Sequence, residues 1–414
     1  MPPTRPSGRR ALSCRGALRL VSILLICNEE PIVKKIWPFS FYFLYYAAFA
    51  CYMPYLVLYY RQIGFSGTQI GVLTAISPLV GLVATPLLTG YADATRRYRL
   101  IMSLSLAGCA VLLAFLPAIR TLLPMLLFLV AYTVLGAPIS SLADNATMSM
   151  LGEQREKYGR IRLGGTLGWA VAATVAGLVI QRFGLQASFW CASGMFLLGL
   201  LISQGFVFGQ SGPKASIRSG IKTLLTDRNW VLVLFLALVT GIGFAALNNY
   251  FTLYLEQAGI ARSWMGVALT VATVAEIPVM FFSNRLLQRF QARGLLILAL
   301  AVFSLRFFLY AISQDLVVIL IFQVINALAF PVYMVGAVSF AFNNAPPGLG
   351  ATAQGVMGMM TFGIGSAAGG LIGGLLLGFM TVRDMYAIVS GVLLFSLLVY
   401  LLLQRRSAPP DAHG

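Results

Sequence analysis

YLVLYYRQIGFSGTQIGV (Tyr55–Val72) and YFTLYLEQAGIARSWMGV (Tyr250–Val267) are two similar copies of one segment. At a fixed offset of 195 residues, seven of the 18 aligned positions are identical without a gap. Each copy reads as the end of one apolar helix, a turn and the start of the next helix. The two halves of the chain are therefore predicted to be parallel structural repeats.

Composition places this repeat in a membrane. Of the 414 residues, 59% are hydrophobic and only 10% are charged, and the mean hydropathy is +0.86. Soluble domains carry about 25% charged residues. A membrane β-barrel would alternate polar and apolar residues, whereas these segments are continuously apolar, so the chain is predicted to be an all-α integral membrane protein.

Apolar runs of about 20 residues, the length that crosses a bilayer, predict twelve transmembrane helices in two pseudo-symmetric six-helix bundles. The predicted spans are 37–60, 68–91, 100–119, 121–148, 161–181, 186–208, 230–255, 263–283, 294–313, 316–342, 352–378 and 384–404. Five regions follow from them. They are a basic N-terminal extension (1–36), an N-terminal bundle (37–208), a cytoplasmic linker (209–229), a C-terminal bundle (230–404) and a tail (405–414).

Basic residues set the expected orientation. Twenty-three of the 29 Lys and Arg fall in the first tail, the even-numbered turns and the last tail. Lys and Arg are retained on the cytoplasmic side, so both termini are expected in the cytoplasm, with the chain in the inner or plasma membrane. The net charge of +17 is then explained by topology. We expect the lipid bilayer as partner, no nucleic acid, and a monomer.

The first 32 residues have two interpretations. The apolar stretch Leu20–Cys27 is too short to span a membrane, and it lacks the small-residue cleavage site of a signal peptide. These residues are either a cytoplasmic extension or precede a true start at Val33. The five cysteines have no metal-like spacing and are interpreted as small packing residues.

Two charged residues interrupt the predicted spans. Glu276 lies in VALTVATVAEIPVMFFS (267–283) and Arg306 in LLILALAVFSLRFFLYAI (295–312). An ionisable group at this depth costs about 2.5–3.5 kcal/mol on the mildest scale and usually marks function. Burial disfavours a charged carboxylate and a nearby arginine favours it, which suggests that Glu276 takes up a proton and that Arg306 stabilises its charged form. The alternative is a static ion pair that fixes helix register.

Twelve helices in two halves with a basic central loop resemble the major facilitator superfamily. GYADATRRYR (Gly90–Arg99) resembles that family's loop signature after the second helix, although Ala94 replaces a basic residue. The resemblance implies that Asp93 and Arg97 take part in a cytoplasmic gate. The alternative is an ordinary basic turn.

YGRIRLGGTLGWAVAATVAG (Tyr158–Gly177) resembles the start of the fifth helix of lactose-permease-like carriers. The resemblance implies that Arg162 binds sugar hydroxyls, that Trp169 stacks on a sugar ring, and that Asp144, 18 residues before Arg162, is the acidic partner of that arginine. The alternative is that the arginine caps a helix and the tryptophan packs on lipid.

The second half departs from that pattern. Spans 10 and 11 carry no charge, and the only histidine is His413, so a histidine relay is excluded. Glu276, the turn 283–285 (SNR) and Arg306 instead resemble phenylpropionate-type permeases. Polar residues expected to line a hydrated cavity are Asn248, Asn249, Gln323 and Asn326. Each alone is equally consistent with an interhelical hydrogen bond worth about 0.6 kcal/mol.

Aromatic runs at 41–46 and 52–60 are interpreted partly as an interfacial belt, with Tyr45, Tyr46 and Tyr52 as candidates to reach the cavity. No Gly-x-x-x-x-Gly-Lys-Ser/Thr motif is present, so nucleotide-driven transport is not expected, and neither are enzymatic activity, a metal or a cofactor.

The leading hypothesis is a proton-coupled symporter of a small polar solute, a sugar or oligosaccharide, that works by alternating access on the proton gradient. The alternative is a symporter of an aromatic or other organic acid. More remote alternatives are an efflux carrier and a non-transporting membrane sensor.

Overall fold

Twelve long apolar helices make up the computed structural model, which describes residues 32–154, 157–209, 224–346 and 349–405. The predicted fold class and span number are confirmed, and the described residues contain no β-strand. The spans, numbered α1 to α12 in chain order, are Ile36–Gln62, Gly67–Thr95, Tyr98–Ala118, Leu122–Leu151, Tyr158–Phe183, Leu185–Ser203, Arg228–Gln257, Arg262–Phe281, Ser283–Ile312, Leu316–Asn344, Thr352–Leu376 and Val382–Gln404.

Most of the extension, the linker and the tail lie outside the described residues. The five regions drawn from the sequence therefore stay predictions at their boundaries. Twelve is an even number of spans, so α12 ends on the side of the membrane on which α1 begins. We call this side the terminal face and the opposite side the far face.

Local sequence explains where several spans begin. Ser66 caps α2 because its hydroxyl accepts the amide of Gln69 at 3.3 Å while its own amide donates to the Gln69 side chain at 2.9 Å. Asp315 caps α10 by accepting the amides of Val317 and Val318 at 2.9 and 3.1 Å. Both caps satisfy amides that the first turn of a helix leaves unpaired.

Several spans are broken at membrane depth. A 3₁₀ turn at Met53–Tyr55 interrupts α1, a second at Asn326–Leu328 interrupts α10, and a π-helical segment at Met359–Gly365 lies within α11. α4 divides into Leu122–Gly136 and Ile139–Leu151 next to Pro138, which lacks an amide donor. Such breaks are tolerated in a membrane where the backbone is buried in protein or lines a cavity.

The aromatic run of α1 belongs to the protein core. Tyr42, Tyr55, Tyr59 and Tyr60 are each 1% exposed or less. The interpretation of this run as an interfacial belt is therefore wrong for these residues. Their rings face neighbouring helices because α1 contacts α4, α5 and α6 as well as α7.

Glycines bring the two bundles into backbone contact near the far face. A Cβ atom on Gly374 of α11 would lie 2.2 Å from the Cα atom of Gly71 of α2, and one on Gly266 of α8 would lie 2.2 Å from the carbonyl oxygen of Ala173 of α5. Any larger side chain would push these helices apart, so the sequence allows this closure only with glycine.

Hydrogen bonds between the bundles lie at the same end. The Thr270 hydroxyl donates to the Ala170 carbonyl at 2.7 Å, and the Ser263 amide donates to the Gln181 side chain at 2.9 Å. The residue Met280, near the end of α8 at the terminal face, is 46% exposed and lines the space between the bundles. The bundles are thus closed at the far face and separated toward the terminal face.

Candidate solute and proton site

A cavity of about 710 Å³ lies between the two bundles, and we call it the solute cavity. Seven of the nine residues that the sequence predicts for solute and proton binding line it. They come from α5, α7, α8, α9 and α10 and are Arg162, Trp169, Asn248, Glu276, Arg306, Gln323 and Asn326. Residues far apart in the chain therefore meet in one space of the size that small-molecule sites have.

Arg306 is held by three neutral acceptors. It is 3% exposed, and its guanidinium donates from Nη1 to Asn326 Oδ1, from Nη2 to Gln323 Oε1, and from Nε to the Tyr310 hydroxyl at 3.0 Å. The planar fork of arginine suits such a multiple arrangement. The positive charge is oriented but not neutralised by these partners.

Glu276 is joined to Arg306 through an amide. Asn326 Nδ2 donates to Glu276 Oε1 at 2.8 Å, while Asn326 Oδ1 accepts from Arg306. The direct Glu276–Arg306 pair that the sequence suggests is not among the ion pairs of the described residues. An asparagine can bridge the two because it carries a donor and an acceptor on one rigid group.

The break in α10 places this bridge. Asn326 is the first residue of the 3₁₀ turn that interrupts the span, and it follows Gln323 by one helical turn. Both amides therefore reach the same guanidinium. Gln323 is 1% exposed, and its Nε2 atom has no hydrogen-bond partner. A buried donor without a partner is unfavourable.

Arg162 lies on the opposite side of the cavity, one turn into α5. Its Nη2 donates to the Tyr46 hydroxyl, and its Cζ atom lies 4.4 Å from the ring centroid of Tyr46 and 4.9 Å from that of Tyr42. Cation–π contact and a neutral acceptor thus hold the guanidinium. Trp169 follows two turns along the same helix and also lines the cavity.

Asp144 lies outside the lining of the solute cavity. One carboxylate oxygen accepts from the Tyr42 hydroxyl at 2.5 Å and from the Tyr158 hydroxyl at 2.9 Å. The resemblance makes Asp144 the acidic partner of Arg162, but Asp144 does not contact the guanidinium. It orients the Tyr42 ring that lies beneath the guanidinium. The sequence offered no signal for Tyr42, because a buried tyrosine and a belt tyrosine look the same in an aromatic run.

The remaining predicted residues lie elsewhere. Asn249 lines a neighbouring cavity that is described below. Asp93 accepts from the Tyr98 hydroxyl at 3.2 Å, and Arg97 is exposed at the turn between α2 and α3. Neither lines the solute cavity. The gate that was inferred for this pair stays a prediction.

The assembled site can recognise a polar solute from two sides. It presents an indole face, amide groups from α7 and α10, two guanidiniums with neutral partners and one carboxylate. Hydroxyl groups bind to all of these except the indole, whose face suits an apolar sugar face or another ring. The carboxylate is the one acidic group of the described residues in the cavity and can gain or lose a proton there.

The sequence matches a known family over most of its length. Residues 36–388 fit the family model described as the MFS_1 like family. Over 381 residues the chain is 29% identical to a maltose permease of Geobacillus stearothermophilus, with 90% of this chain and 95% of that protein covered. It is 21% identical to a probable 3-phenylpropionic acid transporter of Escherichia coli (strain K12), with 72% of this chain and 80% of that protein covered.

Solved structures agree with the fold. The nucleoside transporter NupG superposes with a TM-score of 0.80 at 16% sequence identity, covering 89% of this chain and 98% of that one. At this identity the likeness concerns the arrangement of helices alone.

Proposed function

The chain belongs to the MFS_1 like family and is a multi-pass membrane transporter of the major facilitator type, and from that premise we propose that it is a proton-coupled symporter of a sugar or oligosaccharide. The observation that supports this proposal is the solute cavity. Arg162 and Trp169 of one bundle face Glu276, Gln323 and Asn326 of the other across it. A solute held by both bundles is moved when they rock about it.

In this proposal the N-terminal bundle binds the solute. Arg162 donates to sugar hydroxyls, and Trp169 stacks on the apolar face of the ring. Asp144 acts through Tyr42, which lies beneath the guanidinium. The maltose permease among the relatives supports this solute class.

The C-terminal bundle takes the proton. Glu276 lines the cavity and contacts Arg306 only through Asn326. Protonation of the carboxylate changes what Asn326 bonds to, and therefore what orients Arg306. The energy source is the proton gradient, and no cofactor takes part.

The proposal includes an orientation in the membrane and an oligomeric state. The distribution of Lys and Arg supports cytoplasmic termini in the cell membrane, which makes the present conformation open to the cytoplasm. A monomer suffices, because residues of one chain line the cavity on both sides.

A second candidate function is symport of an aromatic or other organic acid. Arg162 and Arg306 both line the cavity, and within the described residues neither forms an ion pair with a carboxylate. Two such guanidiniums suit a solute carboxylate. The phenylpropionic acid transporter among the relatives favours this candidate.

Purified protein in liposomes with an imposed pH gradient tests both candidates. We expect the wild type to accumulate maltose above its external concentration, and Glu276→Gln to lose this accumulation while still exchanging maltose across the membrane. Glu153→Gln, at an exposed position in the turn before α5, is the matched control and should accumulate normally. Undiminished accumulation by Glu276→Gln would remove the proton role, and accumulation of 3-phenylpropionate instead of maltose would favour the second candidate.

A further inference from the structure

A second cavity of about 420 Å³ lies beside the solute cavity, and we call it the side cavity. The two share a wall, because the residues that line both are Tyr45, Phe49, Met53, Phe244 and Asn248. We propose that the side cavity is a subsite for an aromatic group attached to the solute, while the polar part of that solute lies in the solute cavity. This inference rests on the proposed transport function and adds aryl-substituted solutes to its substrate class.

Aromatic rings form much of the side cavity. Phe128 stacks on Tyr132 with ring centroids 6.1 Å apart and planes 11° from parallel. Tyr132 and Tyr52 are bonded hydroxyl to hydroxyl at 2.6 Å, so these two polar tips satisfy each other. The rings then offer π faces and edges, which bind another ring in stacked or edge-on geometry.

Tyr60 contributes its side chain to the side cavity. This side chain is 1% exposed, and its hydroxyl, which has no hydrogen-bond partner, is buried. The wall at this point is therefore aromatic.

The position of the side cavity also separates it from proton chemistry. Its lining includes α1, α2, α3, α4, α7 and α11 and contains no Asp, Glu, Lys or Arg among the described residues. Asn248 on the shared wall and Asn249 behind it are its amide contributions. A charged group is therefore disfavoured here, whereas an uncharged ring is accepted.

Equilibrium binding of matched ligands to the purified full-length protein tests this proposal. The sugar pair is methyl α-glucoside and phenyl α-glucoside, and the acid pair is propionate and 3-phenylpropionate. In each pair the ring is the only large difference. Burial of a phenyl group should tighten binding by about tenfold or more.

Two variants test whether the tighter binding of the phenyl ligands arises in the side cavity. Gly81 of α2 lines the side cavity but not the solute cavity, and a Cβ atom there would meet only the Thr133 methyl group at 3.8 Å. Gly81→Leu should therefore fold, fill the side cavity and abolish the advantage of the phenyl ligand. Gly90→Leu lies on the same helix, lines neither cavity and meets nothing within 4 Å, so it should keep that advantage.

The outcomes separate this proposal from the sugar proposal. Binding of the acid pair alone, with a ring advantage that Gly81→Leu removes, would retain the side cavity as an aromatic subsite and discard sugar as the solute. Equal affinities within the pair that binds, or equal losses for both its members in Gly81→Leu, would overturn the subsite. Failure of all these ligands to bind would overturn the subsite, whereas accumulation of maltose in liposomes decides the sugar proposal separately.

Discussion

Glu276 and Arg306 are connected through the single side chain of Asn326, whose amide nitrogen donates to the carboxylate at 2.8 Å and whose oxygen accepts from the guanidinium. The charges of α8 and α9 are thus coupled by a neutral group on the broken part of α10. A direct ion pair would hold both charges in one place. A bridge of this kind lets a change at the carboxylate alter the hydrogen bonding of the arginine.

Asn326→Leu removes the bridge at nearly constant volume. We expect the loss of proton-driven accumulation, because Glu276 loses its hydrogen-bond donor and Arg306 one of its acceptors. A buried group left unpaired costs about 1–3 kcal/mol, so the midpoint of thermal unfolding should also fall. Asn229→Leu is the matched control on α7, since Asn229 is exposed and lines neither cavity. Normal accumulation by Asn326→Leu would show that the bridge plays no part in coupling.

Arg306→Lys keeps the charge but loses the fork. An ammonium cannot reach Tyr310, Gln323 and Asn326 in the geometry that one guanidinium provides. We expect destabilisation by about 1–3 kcal/mol from the acceptors left unpaired and at least tenfold slower uptake. Thermal unfolding and uptake in liposomes measure the two effects. Arg289→Lys, at an exposed position near the terminal face, should change neither. Equal stability of Arg306→Lys and wild type would contradict the role of the three bonds.

The sequence alone predicts the fold well because a bilayer imposes a strict length on every helix. All twelve predicted spans correspond to helices, and most ends agree within a few residues. A charge inside an apolar run is also conspicuous, so Glu276 and Arg306 could be singled out by inspection.

Contacts between side chains could not be predicted in the same way. The bridge depends on the break at Asn326–Leu328, which brings a residue of α10 to one 50 positions earlier. The partners of Asp144 depend on two tyrosines whose burial follows from packing against neighbouring helices. Hydrophobicity does not tell an aromatic ring in the core from one at the membrane surface, and the side cavity has no pattern in the sequence at all.

Asp144→Asn and Arg162→Gln should separate positioning from binding. Asp144 contacts Tyr42 and Tyr158 outside the cavity, so we expect its substitution to lower stability by about 1–3 kcal/mol and to weaken solute binding less than the loss of Arg162. Arg162 lines the cavity, and its loss should weaken binding at least tenfold because charge-assisted hydrogen bonds to the solute are the stronger kind. Calorimetric titration with whichever solute binds the wild type, paired with thermal unfolding, measures both. The reverse order of effects on affinity would place Asp144 in direct contact with the solute.

Gly266→Leu should open the far face. A Cβ atom at this position would lie 2.2 Å from the Ala173 carbonyl oxygen, so α5 and α8 cannot keep their present contact. The population then shifts to the conformation that lacks this contact.

Cysteine labelling reports this shift. In a background without the native cysteines, a cysteine at Thr270, which faces Ala170 and Thr174 across the bundle interface, should react slowly with a maleimide. Gly266→Leu should raise the rate by about tenfold, the change expected for a shift of about 1.4 kcal/mol. Gly194→Leu on α6 is the control, because a Cβ atom there meets nothing within 4 Å, and it should leave the rate unchanged. An unchanged rate in Gly266→Leu would mean that the far face does not depend on glycine contact for its closure.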